Sequence, residues 1–233
     1  MDKKAFDRFE NIQEKLNTEI NFVYLFSGDF TFECDEEKVE KLILNDEKKY
    51  NNLYKKDSKE KYKTLDQNKS KDLNVSYIYL DIQKYSKNPK YIKYTGRFGI
   101  NKIDQENLLK EVKRESEKLN IGKEKTLFLG SEEFMYIPML FAKQFEGKDI
   151  SYHSTTRSPI IDLDIQNYPI KSKFPHHSLY NEGVVNYVYN LDKYNYEKCF
   201  FFCELNKEKE AFDEIINIIS NTNIKELNIV MCK

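Results

Sequence analysis

The chain has 233 residues, of which 39% are hydrophobic and 33% are charged. This composition is typical of a globular protein that can bury a core without disulfides or metal ions. The formal net charge of −1 provides no overall basic field, so we expect no nucleic-acid partner. The N-terminus does not have the pattern of a signal peptide, and no segment is long and apolar enough to span a membrane. We therefore expect no membrane association and a cytoplasmic location.

The first third of the chain predicts an extension of the main fold. Apolar residues at helical spacing predict a helix from Lys3 to Leu16. The segment FVYLFSGDFTFEC predicts a hairpin that turns at Gly28, and Asp35 can cap a short helix after it. Residues from about 46 to 72 are mostly Lys, Asn, Asp, Ser and Tyr, which indicates a mobile insertion. We interpret residues 1–233 as a single domain that contains this insertion.

The middle of the chain predicts strands and one strand–helix–strand unit. The segments VSYIYLDI and KYIKYTGRFGI are strand candidates. Further on, KTLFLG predicts a strand, SEEFMYIPMLFAKQFEG a helix, and KDISYHS the next strand. Pro138 lies close enough to the start of that helix to be tolerated in its first turn or to kink the helix, and Gly147 is placed to end it.

The last third continues the alternation of strands and helices. VVNYVYN and KCFFFCEL predict strands, KEKEAFDEIINIIS an amphipathic helix, and LNIVMCK a final strand. This order predicts an α/β fold. We expect a Rossmann-like, mostly parallel sheet with flanking helices and an N-terminal extension made of a β-hairpin and a helix.

Three polar groups follow predicted strands, and the carboxyl ends of parallel strands are where ligands bind in such sheets. They are residues 130–133, residues 154–159 and Glu204. In the second group, short hydroxyl side chains and Arg157 could surround a phosphate. The alternative is a polar loop whose hydroxyls bond to its own backbone. The candidate anion-binding residues are Thr155, Thr156, Arg157 and Ser158.

The acids of the first group allow two interpretations. Ser131 could be the N-cap of the following helix, with Glu132 and Glu133 complementing the helix dipole. Alternatively, the two acids bind ribose hydroxyls, an amine, or a hydrated Mg²⁺ ion that accompanies a phosphorylated ligand. Together with Ser131, they complete a candidate site that faces the arginine loop across one cleft.

Other residues could add to this site. Arg97, between two glycines in TGRFG, is a second candidate anion contact. Glu133, His153 and Glu204 are the candidates for a catalytic base, and the sequence leaves open whether any reaction occurs and whether Cys203 pairs with His153 as a nucleophile. Cysteines and histidines show no metal-ligand spacing. His176 and His177 follow Pro175 in a loop-like segment, and being adjacent they would point in opposite directions if extended. We expect no metal site and predict buried thiols at Cys199 and Cys203.

Several blocks in order resemble the TRSP domain family, which is named after a Thr-Arg-Ser-Pro motif. Here that motif is Thr156 to Pro159, and the family's Arg-Phe-Gly hallmark is Arg97 to Gly99. The resemblance implies a domain that follows a phosphoribosyltransferase domain in bacterial gene clusters for tellurite resistance and stress response. Those clusters are associated with a nucleoside-like metabolite. It therefore implies a phosphorylated ribose as ligand and a phosphoribosyltransferase as partner.

The donor-binding loop of a type I phosphoribosyltransferase is missing from this sequence. In YIKYTGRFG, Lys93 and Tyr94 occupy the positions where that loop has acids. We therefore expect that this chain is not a phosphoribosyltransferase on its own. Our interpretation is a companion domain that binds a phosphorylated, ribose-containing metabolite. The alternatives are a self-standing hydrolase or group transferase acting on that metabolite, and a structural partner subunit without catalysis.

Overall fold

The computed structural model describes residues 12–15, 17, 73–82, 92–95, 99–162 and 166–232. Two compact units are delimited, residues 1–57 and 58–233, and the second contains all the elements below. Residues 12–15 are helical, as predicted. The N-terminal hairpin, the helix after Asp35 and the insertion at about 46–72 lie outside the described residues, so these assignments and the single domain stay predictions.

Seven strands are described in the second unit. They are β1 (Asn74–Leu80), β2 (Thr126–Gly130), β3 (Ile150–Ser154), β4 (Lys173–His177), β5 (Val185–Tyr189), β6 (Lys198–Glu204) and β7 (Glu226–Cys232). Five of them form one sheet in the order β1-β7-β6-β2-β3, and every pair in it is parallel. The predicted α/β, Rossmann-like fold is confirmed.

The helices are α1 (Lys102–Ser116), α2 (Tyr136–Lys143) and α3 (Asp213–Ser220), and a 3₁₀ turn (Lys209–Phe212) precedes α3. The Asn101 side chain caps α1 by accepting a hydrogen bond from the Asp104 N–H at 2.9 Å. Pro138 lies in the first turn of α2, where its missing N–H removes no helical hydrogen bond, as predicted. Gly147, after α2, has a φ of +85°, which glycine adopts without strain.

Alternating side chains of the sheet form two cores. Along β6, Phe200 and Phe202 pack with the apolar residues of α1 and α2. Phe201 and Cys203, which alternate with them, pack with the apolar residues of α3. The sheet is therefore covered by helices on both faces, which explains why β6 is apolar at nearly every position.

β4 and β5 form a separate antiparallel pair. The prediction of a loop at His176 and His177 is wrong, because both residues belong to β4 and face opposite sides of the pair. His176 is buried and His177 is exposed, which confirms that adjacent histidines point apart. The pair is tied to the end of β3 by a bridge between Thr156 and Tyr187.

The chain leaves the middle of the sheet in two directions. From β2 it passes through α2 to β3 on one side, and from β6 through α3 to β7 on the other. β2 and β6 are neighbours, so the loops after them diverge at the carboxyl edge. Such a topological switch point is where α/β sheets bind ligands.

The described part of one predicted strand is not extended. In the segment KYIKYTGRFGI, residues 93–94 form a turn, and residues 99–100 are irregular. The segment instead contacts the carboxyl edge of the sheet, since the Ile92 N–H donates to Glu204 Oε1 at 2.9 Å. Among the described residues, no helix is long and apolar enough to cross a membrane.

Candidate functional site

The loops after β2 and β3 are joined by backbone and hydroxyl groups. The Thr155 N–H donates to the Gly130 carbonyl at 2.9 Å, which extends the pairing of the two strands. In return, the Glu132 N–H donates to Thr155 Oγ1 at 2.7 Å. Thr155 is buried, so its hydroxyl oxygen positions the acid loop.

Glu132 lies at the centre of the site. Its carboxylate accepts hydrogen bonds from Ser178 Oγ at 2.5 Å and from the Leu179 N–H at 3.2 Å. Arg157 Nη2 lies 3.4 Å from the other carboxylate oxygen, Oε2. The Glu132 side chain is 3% exposed and that of Arg157 is 52% exposed. A buried carboxylate thus meets a guanidinium that reaches into solvent, as the prediction of an acid loop facing an arginine loop requires.

Both loops of the switch point contain a left-handed residue other than glycine. Glu132 has a φ of 52° and Leu205, after β6, has a φ of 66°. Long side chains rarely adopt this conformation, and it is retained when the surrounding contacts enforce it, often at ligand sites. For Glu132 those contacts are the hydrogen bonds to Thr155 and Ser178.

Tyr180 connects the same two loops, although no sequence motif marks it. Its hydroxyl oxygen lies 2.8 Å from Ser131 Oγ and accepts a hydrogen bond from the Glu204 N–H at 2.8 Å. Burial raises the pKa of Tyr180 well above its ordinary value, so the phenol is neutral. Tyr180 and Ser178 lie in a loop without a strand or helix pattern, which left no sequence signal for their role.

The Thr-Arg-Ser-Pro loop bonds partly to itself, as the alternative interpretation of that loop expects. The Ser158 N–H donates to Thr156 Oγ1 at 3.2 Å. The Thr156 N–H and carbonyl bond to the backbone of Tyr187 at 3.0 and 2.8 Å. The side chains of Arg157 and Ser158 remain exposed, so the loop presents these two groups to solvent.

Ser131 is not the N-cap of α2, and the interpretation of residues 131–133 as the start of that helix is wrong. The helix begins at Tyr136 with Met135 as its N-cap residue. Instead, Ser131 begins a turn, in which the Phe134 N–H donates to the Ser131 carbonyl at 2.9 Å. The turn buries Ser131 and Glu132 and exposes Glu133.

Two of the candidate bases have structural partners. His153, on β3, has its Nε2 atom 3.1 Å from the Tyr196 hydroxyl, and burial lowers the pKa of His153. Glu204 is 1% exposed and accepts the hydrogen bond from the Ile92 N–H. Glu133 is the exposed candidate of the three.

The thiols fit the prediction of buried cysteines. Cys199 and Cys203 are free and buried. Burial raises the pKa of Cys203 to about 11, so at neutral pH it is a protonated thiol and a poor nucleophile. The Tyr180 hydroxyl donates a hydrogen bond to the Cys203 sulfur at 3.5 Å.

A metal site does not fit the described acids. Within the described ranges, no group of three or more His, Cys, Asp or Glu residues could hold a metal ion. Glu132 already accepts hydrogen bonds from Ser178, Leu179 and Arg157. Arg97 lies outside the described residues, so its role stays a prediction.

The comparison with protein families shows to which family this chain belongs. The model of the TRSP domain, described as the domain C-terminal to PRTase_2, matches residues 94–219. The chain belongs to the TRSP domain family. The matched range begins before α1 and contains both loops joined by Glu132 and Arg157. The family description places the TRSP domain after a phosphoribosyltransferase domain, which indicates a companion role beside such an enzyme. Neither the curated proteins nor the solved structures contain a match to the chain.

Proposed function

We propose that this TRSP domain binds a phosphorylated, ribose-containing metabolite at the carboxyl edge of its parallel sheet. It does so as the companion of a phosphoribosyltransferase, in the cytoplasm and in a stress-associated pathway of the tellurite-resistance type. The observation that carries the proposal is the pair formed by Glu132, in the loop after β2, and Arg157, in the loop after β3, 3.4 Å apart, with the guanidinium half exposed.

Arg157 has the donors that a phosphate needs. A guanidinium carries five N–H groups, and among the residues that the structure describes only Glu132 accepts from it. The 3.4 Å separation is longer than a strong charge-assisted hydrogen bond of about 2.7–2.9 Å. A phosphate could therefore bind the outward N–H groups while Glu132 continues to orient the guanidinium. The exposed Ser158 and the hydroxyl of Thr156 would add neutral donors beside it.

The acids would bind the sugar end of the same ligand. Glu133 is exposed beside the buried Glu132, and carboxylates accept hydrogen bonds from ribose hydroxyls. Phosphate would be repelled by these acids and attracted by Arg157, so the ligand would have one orientation. Thr155 and Ser131 would act indirectly, since their hydroxyls hold the two loops together.

The companion role fits this ligand class. A phosphoribosyltransferase transfers a ribose 5-phosphate group, so its product carries both the sugar hydroxyls and the phosphate that the site would recognise. The family description, with the domain C-terminal to PRTase_2, supports a product or an intermediate of such an enzyme as the ligand.

The alternative of a self-standing enzyme has less support from the contacts. His153 and Glu204 bond to Tyr196 and Ile92, which leaves Glu133 as the exposed candidate base. No contact of the described residues favours the third alternative, a purely structural partner, over ligand binding.

Isothermal titration with ribose 5-phosphate and with ribose tests the proposal. Arg157→Ala should weaken the binding of ribose 5-phosphate by roughly 10- to 100-fold. This corresponds to losing a charge-assisted contact of about 1.5–3 kcal/mol. It should change ribose binding little. The matched control is Arg114→Ala, because Arg114 is also an exposed arginine, 60% exposed, paired with a buried glutamate, Glu115, at 3.1 Å.

The control separates loss of a ligand contact from loss of an ion pair. Equal weakening by both substitutions would mean that stability, and not phosphate recognition, is affected. Equal weakening of ribose and ribose 5-phosphate by Arg157→Ala would also contradict the proposal. Unfolding curves of both variants would show whether each remains folded.

A further inference from the structure

The antiparallel pair β4–β5 contains two buried polar side chains directly opposite each other. His176 on β4 is paired with Asn186 on β5, so their side chains lie on the same face of the pair. Phe174 and Val188, opposite each other two residues along the strands, pack against the core shared with α3. The His176–Asn186 pair therefore faces inward, towards the main sheet.

Three polar atoms of this pair have no hydrogen-bond partner among the described residues. They are His176 Nε2 and both Asn186 side-chain atoms, Oδ1 and Nδ2. His176 is 3% exposed and Asn186 is 0% exposed, so bulk water does not solvate them. Buried polar atoms are almost always paired, with the protein or with a bound molecule. Two opposed residues with three unpaired polar atoms indicate a binding site for a polar group.

The hydrogen-bonding character of the site can be assigned. His176 Nδ1 lies 2.8 Å from the His177 carbonyl oxygen, which can only accept, so Nδ1 carries the ring proton. Burial lowers the pKa of His176, and the ring is neutral. Nε2 is therefore an acceptor that needs a donor. Asn186 Nδ2 needs an acceptor, and Asn186 Oδ1 needs a donor.

We propose that His176 and Asn186 form a buried site for a hydroxyl oxygen. A hydroxyl group donates its proton to His176 Nε2 and accepts one from Asn186 Nδ2, which matches the two facing groups. An anion is excluded because Nε2 presents a lone pair, and a cation is disfavoured by the apolar surroundings. The oxygen belongs to a water molecule or to a hydroxyl of a bound sugar.

The site adjoins the proposed ligand site. Two residues after His176, Ser178 donates to the carboxylate of Glu132, so one continuous stretch of chain contacts both. A sugar hydroxyl as the source of the oxygen rests on the proposed function, whereas a water molecule does not. The existence of the hydroxyl site can thus be tested separately from its source.

High-resolution crystal structures with and without ribose 5-phosphate test the proposal directly. We expect density for one oxygen within about 3.2 Å of both His176 Nε2 and Asn186 Nδ2. Isolated density in both crystals identifies water, and density continuous with the sugar identifies the ligand. Absence of density, or a direct hydrogen bond between His176 and Asn186, overturns the site. Failure of ribose 5-phosphate to bind at Arg157 contradicts the proposed function only.

A substitution provides a second, independent test through the sign of a stability change. Asn186→Leu removes two buried polar atoms at nearly constant shape. If the site holds an oxygen, that oxygen loses its hydrogen-bond donor in the variant, and the melting temperature falls by about 2–4 °C. If the site holds nothing, removing unpaired polar atoms leaves the melting temperature unchanged or raises it, which overturns the proposal.

The size of this change can be calibrated within the same chain. Asn228→Leu is the matched control, because Asn228 is a buried asparagine with known partners, Ser76 Oγ at 2.6 Å and Glu226 Oε1 at 3.0 Å. A fall for Asn186→Leu comparable to that of Asn228→Leu supports the site. A fall for Asn228→Leu alone contradicts it.

Discussion

Arg157 and Glu132 are 25 residues apart in the chain, and their side chains meet at 3.4 Å where the loops after two neighbouring parallel strands leave the sheet. The contact joins an exposed positive charge to a buried negative one. On exposed surfaces such pairs contribute little stability. Here the buried carboxylate also bonds to Ser178 and Leu179, so the guanidinium is oriented by a rigid partner.

The hydroxyl of Tyr180 should stabilise the switch point. Tyr180→Phe removes the partner of Ser131 Oγ and of the Glu204 N–H. The Glu204 N–H would lose this hydrogen bond, and the free energy of unfolding should fall by about 1–3 kcal/mol. Urea denaturation measures this. Tyr194→Phe is the control, because Tyr194 is 44% exposed and should change stability little. A loss of the same size in the control would contradict the assignment.

Gly130 should tolerate no larger residue. A Cβ added there would lie 2.4 Å from the Phe134 carbonyl oxygen, so the turn that buries Glu132 would have to shift. We expect Gly130→Ala to lower the free energy of unfolding by about 1–3 kcal/mol. Gly99→Ala is the control, since a Cβ at Gly99 meets no described residue within 4 Å. Equal unfolding midpoints for the two variants would show that the turn adapts to the added methyl group.

Stability should decrease on mild acidification because of His176. Burial lowers the pKa of His176 below its ordinary 6.5 and outweighs the hydrogen bond to the His177 carbonyl and the charges of Glu132 and Glu214, which raise it; the charge of His177 lowers it further. Below pH 6.5 the unfolded chain binds a proton that the folded chain resists, so stability falls as pH decreases from 6.5 towards the folded pKa. The slope from one such group is at most about 1.4 kcal/mol per pH unit.

Urea unfolding at pH 7.5 and pH 5.5 measures this dependence. The pKa of His153 is also lowered by burial, so it contributes in the same direction. His176→Leu should reduce the difference between the two pH values without abolishing it. An unchanged difference in this variant would mean that His176 does not titrate differently in the folded and unfolded states.

The chain alone should not transfer phosphoribosyl groups. Lys93 and Tyr94 stand where the donor loop of a type I phosphoribosyltransferase has acids, and these two residues form a turn. Incubation with phosphoribosyl pyrophosphate and a panel of bases should release pyrophosphate no faster than a protein-free control. Release at about 1 s⁻¹, an ordinary enzymatic turnover, would show that the chain carries its own transferase site.

Much of the sheet could be predicted because its signals are local. β2, β6 and β7 are apolar runs bounded by polar residues, and their burial on both faces explains that pattern. The carboxyl ends of β2 and β3 could also be inferred, because parallel strands place their ends at one edge. This is why Glu132 and Arg157 were expected in the same place.

The missed features depend on contacts between distant residues. α1 was not assigned, since Leu108 and Val112 are its buried apolar residues in a stretch rich in Lys and Glu. Ser131 resembled an N-cap, but the lack of a Cβ at Gly130 allows the Phe134 carbonyl to approach, and a tight turn forms first. The role of Tyr180 depends on tertiary contacts that no local pattern reveals.

A crystal structure of the chain with ribose 5-phosphate tests the central claim most directly. The account predicts that the phosphate lies within about 3.2 Å of the Arg157 guanidinium, with the sugar on the side of Glu132 and Glu133. A ligand bound elsewhere on the domain would contradict the account, and so would a ligand whose phosphate makes no contact with Arg157.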